Sequence, residues 1–234
     1  MQPIFTFSRY EYKYILNKEQ VSYFKRAIKD YMHIDEYGLT SIASIYFDTP
    51  DYRLIRTSIE KPPFKEKIRL RSYGLSKENG NVFLELKRKS ERLVYKRRVL
   101  TTEDTVKRFF EYEGDITADG QIAREISYFR NYYNNLSPAI LIIYDREAYT
   151  NDDGLRLTID NNPRYRADNL NLHTSMEGES LLPFEGAILE IKVQGSFPMW
   201  LSKILDEGKI YKTSFSKVGE AYKKQMQKLN IERI

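Results

Sequence analysis

The sequence predicts an α+β fold built on an antiparallel sheet with helices packed against it. Three observations carry this. Short runs of alternating apolar and polar residues recur along the chain, separated by turn residues. Other segments repeat their apolar residues every three or four positions, the period of a helix. No repeat, low-complexity tract or linker rich in Gly, Pro or Ser divides the 234 residues, so residues 1–234 are expected to form one domain.

Phe5 to Tyr14 reads as the first strand. Asn17 then caps a helix with Gln20 three residues on, and Val21, Phe24, Ile28 and Tyr31 form its apolar stripe. Ser41 to Phe47 is a β-rich run stopped by Asp48-Thr49-Pro50. Lys65 to Tyr73 and Asn81 to Lys89 read as hairpin partners around Gly74 and the turn pair Asn79-Gly80, and Leu93 to Leu100 continues the meander. Two helices follow, Glu103 to Tyr112 and Asp119 to Asn134, the second with Ile122, Ile126, Phe129 and Tyr133 on one face. Ala139 to Thr150 and Leu155 to Asp160 form a hairpin around Asp152-Asp153-Gly154, and Ala187 to Gln194 is a late strand. One helix opens at Pro198 and another near Ser214 to Lys217.

Composition narrows the chemistry. Hydrophobic residues make up 41% and charged residues 30%, which fits an ordinary globular chain. With 38 Lys and Arg against 33 Asp and Glu, the net charge of +5 favours an anionic partner. The absence of cysteine excludes disulfides, thiolate metal sites and a Cys nucleophile, and is compatible with a reducing, cytoplasmic setting. No signal-peptide pattern opens the chain, and no run approaches the roughly 18 apolar residues of a membrane span. His33, expected at a helix end, and His173 stand in no recognisable catalytic setting, which disfavours a phosphohistidine mechanism.

Where the charges sit matters more than their sum. Side chains alternate between the two faces of a strand. Val82, Leu84 and Leu86 therefore oppose Phe83, Glu85, Lys87 and Lys89. Ile68 and Leu70 oppose Lys67, Arg69, Arg71 and Tyr73; Leu155, Leu157 and Ile159 oppose Arg156, Thr158 and Asp160. Leu189, Ile191 and Val193 oppose Glu190, Lys192 and Gln194. A sheet with one wet face would account for any one strand. Four strands with the same basic alternation suit a sheet closed into a barrel, its cations turned inward on a polyanion. Phosphate oxygens match the planar donor fork of Arg and the point charge of Lys. Glu85 and Glu190 interrupt the positive faces, and spacing leaves two readings open: pairing with neighbouring cations, or ligation of a hard divalent metal. Ser214-Phe215-Ser216-Lys217 opens the last helix, where free N–H groups suit either a plain serine cap or a phosphate.

Several stretches together resemble the polyphosphate polymerase domain of the vacuolar transporter chaperone (VTC) family, a branch of the triphosphate tunnel metalloenzymes. They are Arg9-Tyr10-Glu11-Tyr12-Lys13-Tyr14, Ser44-Ile45-Tyr46-Phe47-Asp48-Thr49, Lys67-Ile68-Arg69-Leu70-Arg71-Ser72-Tyr73-Gly74 and Phe83-Leu84-Glu85-Leu86-Lys87. Tyr144-Asp145-Arg146, Leu155-Arg156-Leu157-Thr158-Ile159-Asp160, Leu189-Glu190-Ile191-Lys192 and Ser214-Phe215-Ser216-Lys217 complete the set, in family order over nearly the whole chain.

The resemblance implies an antiparallel β-barrel tunnel of about eight strands with helices outside, in the stand-alone bacterial form. It also implies a cytoplasmic enzyme that transfers the γ-phosphate of ATP to a growing inorganic polyphosphate chain with Mn²⁺ or Mg²⁺, without nucleic acid or a membrane span. By position, Arg69, Arg71, Arg146, Arg156 and Glu190 take the catalytic roles; Lys13, Lys87, Lys96, Arg98, Tyr144, Lys192, Ser216 and Lys217 bind phosphate. Glu190 is the metal carboxylate, with Glu85 as a second candidate. Two departures matter. The superfamily's Glu-x-Glu-x-Lys signature begins here with Arg9, which argues against a hydrolase that holds a second metal on the first strand. Ser214 stands where the family often has Lys, a contact that Lys212 could supply. The rival readings are a triphosphatase or other nucleotide hydrolase on the same fold, and a polyphosphate- or nucleic-acid-binding module without turnover.

Overall fold

A computed structural model describes residues 10–91, 93–116 and 120–231. The chain begins with β1 (Tyr10–Asn17), α1 (Lys18–Ala27), β2 (His33–Asp48), α2 (Arg53–Glu60), β3 (Phe64–Tyr73) and β4 (Asn81–Ser90). It continues with β5 (Leu93–Thr102), α3 (Glu103–Phe110), α4 (Gln121–Tyr133), β6 (Ser137–Thr150) and β7 (Arg156–Arg166). Then come β8 (Glu179–Ser180), β9 (Gly186–Val193), α5 (Met199–Glu207), β10 (Lys212–Thr213) and α6 (Lys217–Ile231). The expected α+β class with an antiparallel sheet is the one found. Setting aside the two-residue β8 and β10, the strands number eight among the described residues.

The chain divides into two compact units. One comprises the chain up to Thr40, Tyr144–Pro163 and Leu182–Phe215; the other comprises Ser41–Ile143, Arg164–Leu181 and the chain from Ser216. Strands β2, β6 and β7 pass through both.

The first unit carries the strand order β10-β1-β9-β7, followed by β6. Gly186 opens β9 where an added Cβ would lie 2.2 Å from the Leu16 carbonyl oxygen, so glycine permits this close pairing with β1. Leu16, Leu157, Ile159, Leu189 and Ile191 turn away from the charged face and are essentially inaccessible, packed with Phe24 of α1, Ile28 just past its end and Leu201 of α5. Helix α1 starts as expected: Asn17 Oδ1 accepts from Gln20 N at 2.8 Å, and Gln20 Oε1 accepts from Asn17 N at 3.1 Å. Tyr31 lies beyond the helix end, stacked on Trp200 with ring centroids 4.3 Å apart. Pro198 is the cap of α5 rather than its first helical residue, its carbonyl accepting from Leu201 and Ser202.

The second unit carries β2-β3-β4-β5, each neighbour antiparallel. Ile45, Ile68, Leu70, Leu84 and Leu86 form its core face, closed by Val106, Phe109, Ile126 and Phe129 of α3 and α4. The expected β3–β4 hairpin is present, with Asn79 in a left-handed turn conformation (φ 53°) and Gly74 N bonded to Ser41 O at 2.7 Å.

Three elements differ from expectation. β2 begins at His33, eight residues before the predicted start, and its leading half is largely exposed. His33 thus starts a strand rather than ending a helix. β7 continues to Arg166, where it pairs with β8. Helix α2 has no counterpart in the sequence reading. Its cap is remote: Asp48, fully buried, accepts from Leu54 N and Ile55 N, both at 2.8 Å. The expected starts of the first strand at Phe5 and of the helix at Asp119 lie outside the described residues.

Candidate functional site

In the second unit, the pairings line up one row across four strands: Tyr46, Arg69, Glu85 and Arg98 stand directly opposite one another in turn. Glu85 is the centre, with a side chain 1% exposed. Arg69 donates to Glu85 Oε2 at 2.9 Å from Nε and to the Tyr46 hydroxyl at 2.9 Å from Nη1. From the other side, Arg98 Nε donates to Glu85 Oε1 at 2.8 Å, while its Nη2 reaches both that oxygen and the Tyr73 hydroxyl, the latter at 2.7 Å. Lys96 Nζ lies 2.9 Å from Oε1, and Arg71 Nη1 lies 3.7 Å from Oε2. Arg71 is held from below, its Nε donating to Ser44 Oγ at 3.1 Å.

Four cations thus converge on one carboxylate. Burial pushes the Glu85 carboxyl up, but the charges of Arg69 and Arg71 and the hydrogen bond from Lys96 outweigh it and hold the group far below the usual carboxylate range. Burial likewise opposes ionisation of Tyr46, yet Arg69, Lys67 and Arg71 bring its hydroxyl down to about 7. Tyr73 is lowered too: the hydrogen bond from Arg98 and the Arg71 charge overcome burial.

The adjacent row contains lysines alone. Lys67 faces Lys87, and Lys87 faces Lys96. Like charges directly opposite on a sheet are destabilising, so this row suits a bound anion. Lys96 and Arg98 share the face of Glu85, whereas Arg97 points to the other side and reaches Glu125 at 3.1 Å. Ser216 and Lys217 stand at the start of α6, where Ser216 Oγ accepts from Gly219 N at 3.3 Å. The serine-cap reading therefore holds, and the hydroxyl hydrogen stays available to a second acceptor.

In the first unit, Lys13 faces Glu190, and Glu190 faces Thr158; in the next row Glu11 faces Lys192, and Lys192 faces Arg156. Glu190 Oε1 is 3.3 Å from Lys13 Nζ, and its Oε2 is 3.9 Å from Arg146 Nη2 and 4.0 Å from Lys192 Nζ. These are ion-pair separations, longer than the hydrogen bonds that hold Glu85. Arg146 forms a fork with the fully buried Asp160 at 2.6 and 2.8 Å and lies over the Tyr144 ring, 5.1 Å from its centroid. Burial would lower the Arg146 pKa, but Tyr144, Asp160 and Glu190 raise it, so its charge is permanent. Lys13 also reaches the Phe215 carbonyl at 3.4 Å. Arg156 is half-exposed and pairs with Asp35 at 3.4 Å.

Most of the predicted residues gather in two places, while Arg156 pairs apart with Asp35 and Ser216 and Lys217 stand at the start of α6. Arg69, Arg71, Glu85, Lys96 and Arg98 meet on one strand face of the second unit, with Lys87 in the neighbouring row; Lys13, Tyr144, Arg146, Glu190 and Lys192 meet in the first. Tyr46, Tyr73, Ser44 and Asp160 join these networks without having been singled out as site residues. Period two pointed to Tyr73 and Asp160, which share strand faces with Arg71 and Arg156, whereas Ser44 and Tyr46 lie on β2, which carries no predicted cation, and only strand pairing brings them in. Arg9 lies outside the described residues. Glu85 adopts the ion-paired arrangement, one of the two open to it.

A family model for the VTC domain matches residues 8–226. The chain belongs to the VTC domain family. Among solved structures, this VTC domain is similar to a candidate adenylate cyclase from Bacillus halodurans, at 16% identity and a TM-score of 0.53, over 89% of this chain and 95% of that one. That likeness is one of fold. A Pyrococcus horikoshii protein (15% identity, TM-score 0.49) is covered to 99% by 92% of this chain. A Hippeastrum protein described as a candidate adenylyl cyclase with dominant triphosphatase activity (16%, 0.49) is covered to 91% by 88% of it. No curated protein matches the sequence. Among the described residues of the VTC domain, no helix is long and apolar enough to cross a membrane.

Among the described residues, no group of three or more His, Cys, Asp or Glu side chains is arranged to hold a divalent metal. A hard cation that keeps waters and phosphate oxygens needs only one or two carboxylates, and Glu190 supplies one at ion-pair distance from its neighbours. The donor set fits a metal that arrives with a phosphate chain.

Proposed function

We propose that this VTC domain is a polyphosphate polymerase, moving the γ-phosphate of ATP onto a growing inorganic polyphosphate chain. The observation that carries the reading is the basic strand face in which Arg69, Arg71, Lys96 and Arg98 surround Glu85 and Lys67 and Lys87 extend the row of Lys96. So many cations on one strand face need a polyanion, and a linear phosphate chain offers charge at regular intervals.

Phosphoryl transfer asks for positioning and charge neutralisation more than for covalent work by the protein. Arg69, Arg71 and Arg98 serve as phosphate forks, pre-aimed by Glu85, Tyr46 and Tyr73. Lys67, Lys87 and Lys96 act as point charges along which a chain is passed. In the other unit, Arg146 is held by Asp160 so that its remaining donor edge serves phosphate, with Lys13 and Lys192 beside it. Arg156, in the same unit as Arg146, and Ser216 and Lys217, in the unit of the lysine row, are further phosphate-binding candidates. Glu190 would hold Mn²⁺ or Mg²⁺, which when bound neutralises charge on the phosphates. Arg9 in place of the first-strand acid supports transfer over hydrolysis, because it leaves one fewer carboxylate for a second metal.

The test is incubation with ATP and Mn²⁺, with products sized on a gel. Long phosphate chains plus ADP are expected. Inorganic phosphate without chains would make the protein a hydrolase, and no turnover would leave a binding module. Glu190→Gln is expected to abolish most synthesis while leaving polyphosphate binding largely intact.

A further inference from the structure

Thr158 of β7 stands directly across the ladder from Glu190, which in turn faces Lys13 on β1. It shares its strand face with Arg156 and Asp160. The residue is 1% exposed, and its Oγ1 is fully enclosed with no hydrogen-bond partner among the described residues. A buried hydroxyl left in that condition is destabilising, a penalty that valine avoids at nearly the same volume. Ser72 and Thr101 have enclosed hydroxyls of the same kind, but their cross-strand neighbours are Ala43 and Val82. Thr158 differs in facing a carboxylate within a cluster of cations.

We propose that Thr158 is a positioning residue for the divalent cation at Glu190, its hydroxyl hydrogen-bonding an oxygen of the cation's shell, either water or phosphate. This rests on Glu190 being the metal carboxylate. A hydroxyl is suited to the task because it both donates and accepts, so it can serve either kind of oxygen without adding charge. Partners that orient a metal's ligands change affinity about 10–100-fold when removed.

The experiment compares Thr158→Val, Thr158→Ser and Glu190→Gln. Mn²⁺ affinity is measured by the electron paramagnetic resonance of free Mn²⁺, with inorganic tripolyphosphate present, and the metal-free Tm is measured alongside. Thr158→Val is expected to weaken Mn²⁺ binding about tenfold while its metal-free Tm is unchanged or higher; Thr158→Ser should stay within about twofold of the parent. If Thr158→Val binds Mn²⁺ as the parent does while Glu190→Gln does not, the role of Thr158 is overturned and that of Glu190 stands. A lowered metal-free Tm, or failure to fold, in Thr158→Val would show a structural hydroxyl and overturn it too. Undiminished Mn²⁺ binding in Glu190→Gln would remove the metal reading itself.

Discussion

At the scale of single residues, the decisive feature is how much positive charge one buried carboxylate holds. Glu85→Gln keeps the shape but leaves Arg69, Arg71, Lys96 and Arg98 without their counter-charge. Breaking a buried ion pair costs roughly 3–5 kcal/mol, so urea denaturation at pH 7 should show a loss of about that size. The sign with pH follows from the depressed Glu85 pKa: its stabilisation is complete above the ordinary value of 4.5 and is lost as pH falls through the lower folded value. The gap between parent and variant should therefore be flat from neutral pH down to about 5 and narrow below that. Tyr46 gives a second handle. With its hydroxyl brought down to about 7, an absorbance titration at the tyrosinate band should show a step near neutral pH that Tyr46→Phe removes. Its contribution to stability is complete above the ordinary value of 10.0 and is lost as pH falls through about 7. The cations themselves were legible in the sequence, because alternation alone puts Arg69, Arg71 and Glu85 on charged faces. What opposes what was not. Glu85 meets partners 13 and 16 residues away, and Tyr46 meets Arg69 across 23. Only strand register settles those distances, so the partners of Glu85 were not legible until the ladders were known.

At the scale of elements, the same contrast between local and remote signals separates α1 from α2. The Asn17–Gln20 box lies within one helical turn, so α1 is readable from its first residues. Helix α2 is eight residues long, begins after a left-handed Tyr52 (φ 57°) and borrows its cap from Asp48 at the end of β2. No pattern of propensity or periodicity over so short a stretch announces that. Asp48→Ala should be correspondingly costly. It leaves the backbone N–H groups of Thr49, Leu54 and Ile55 without their acceptor in a buried setting, a loss of roughly 2–4 kcal/mol in urea denaturation. Asn17→Ala, at a cap exposed to water, should cost about 1 kcal/mol in the same measurement. A smaller effect at Asp48 than at Asn17 would show that α2 does not depend on its remote cap.

At the scale of the whole molecule, the net charge of +5 understates the electrostatic tension, because many of the acids sit away from the basic strand faces. Glu66 and Glu125, for example, are taken up by Arg88 and Arg97 on the reverse side of the β3–β5 sheet. The row of Lys67, Lys87 and Lys96 suits a polyanion, and binding of one must appear as folding stability. A ligand present at 100 times its dissociation constant adds about 2.7 kcal/mol, which for a chain of this length raises Tm by roughly 5–10 °C. Inorganic tripolyphosphate should produce a rise of that order in calorimetry at low salt. The rise should shrink as added salt brings the screening length toward a few ångströms. A Lys67→Gln, Lys87→Gln double variant separates specific binding from general charge. It should respond to tripolyphosphate by less than half as much as the parent. Equal responses would mean that the lysine row is an ordinary solvated face, and the phosphate chain would then have to be recognised by the arginines alone.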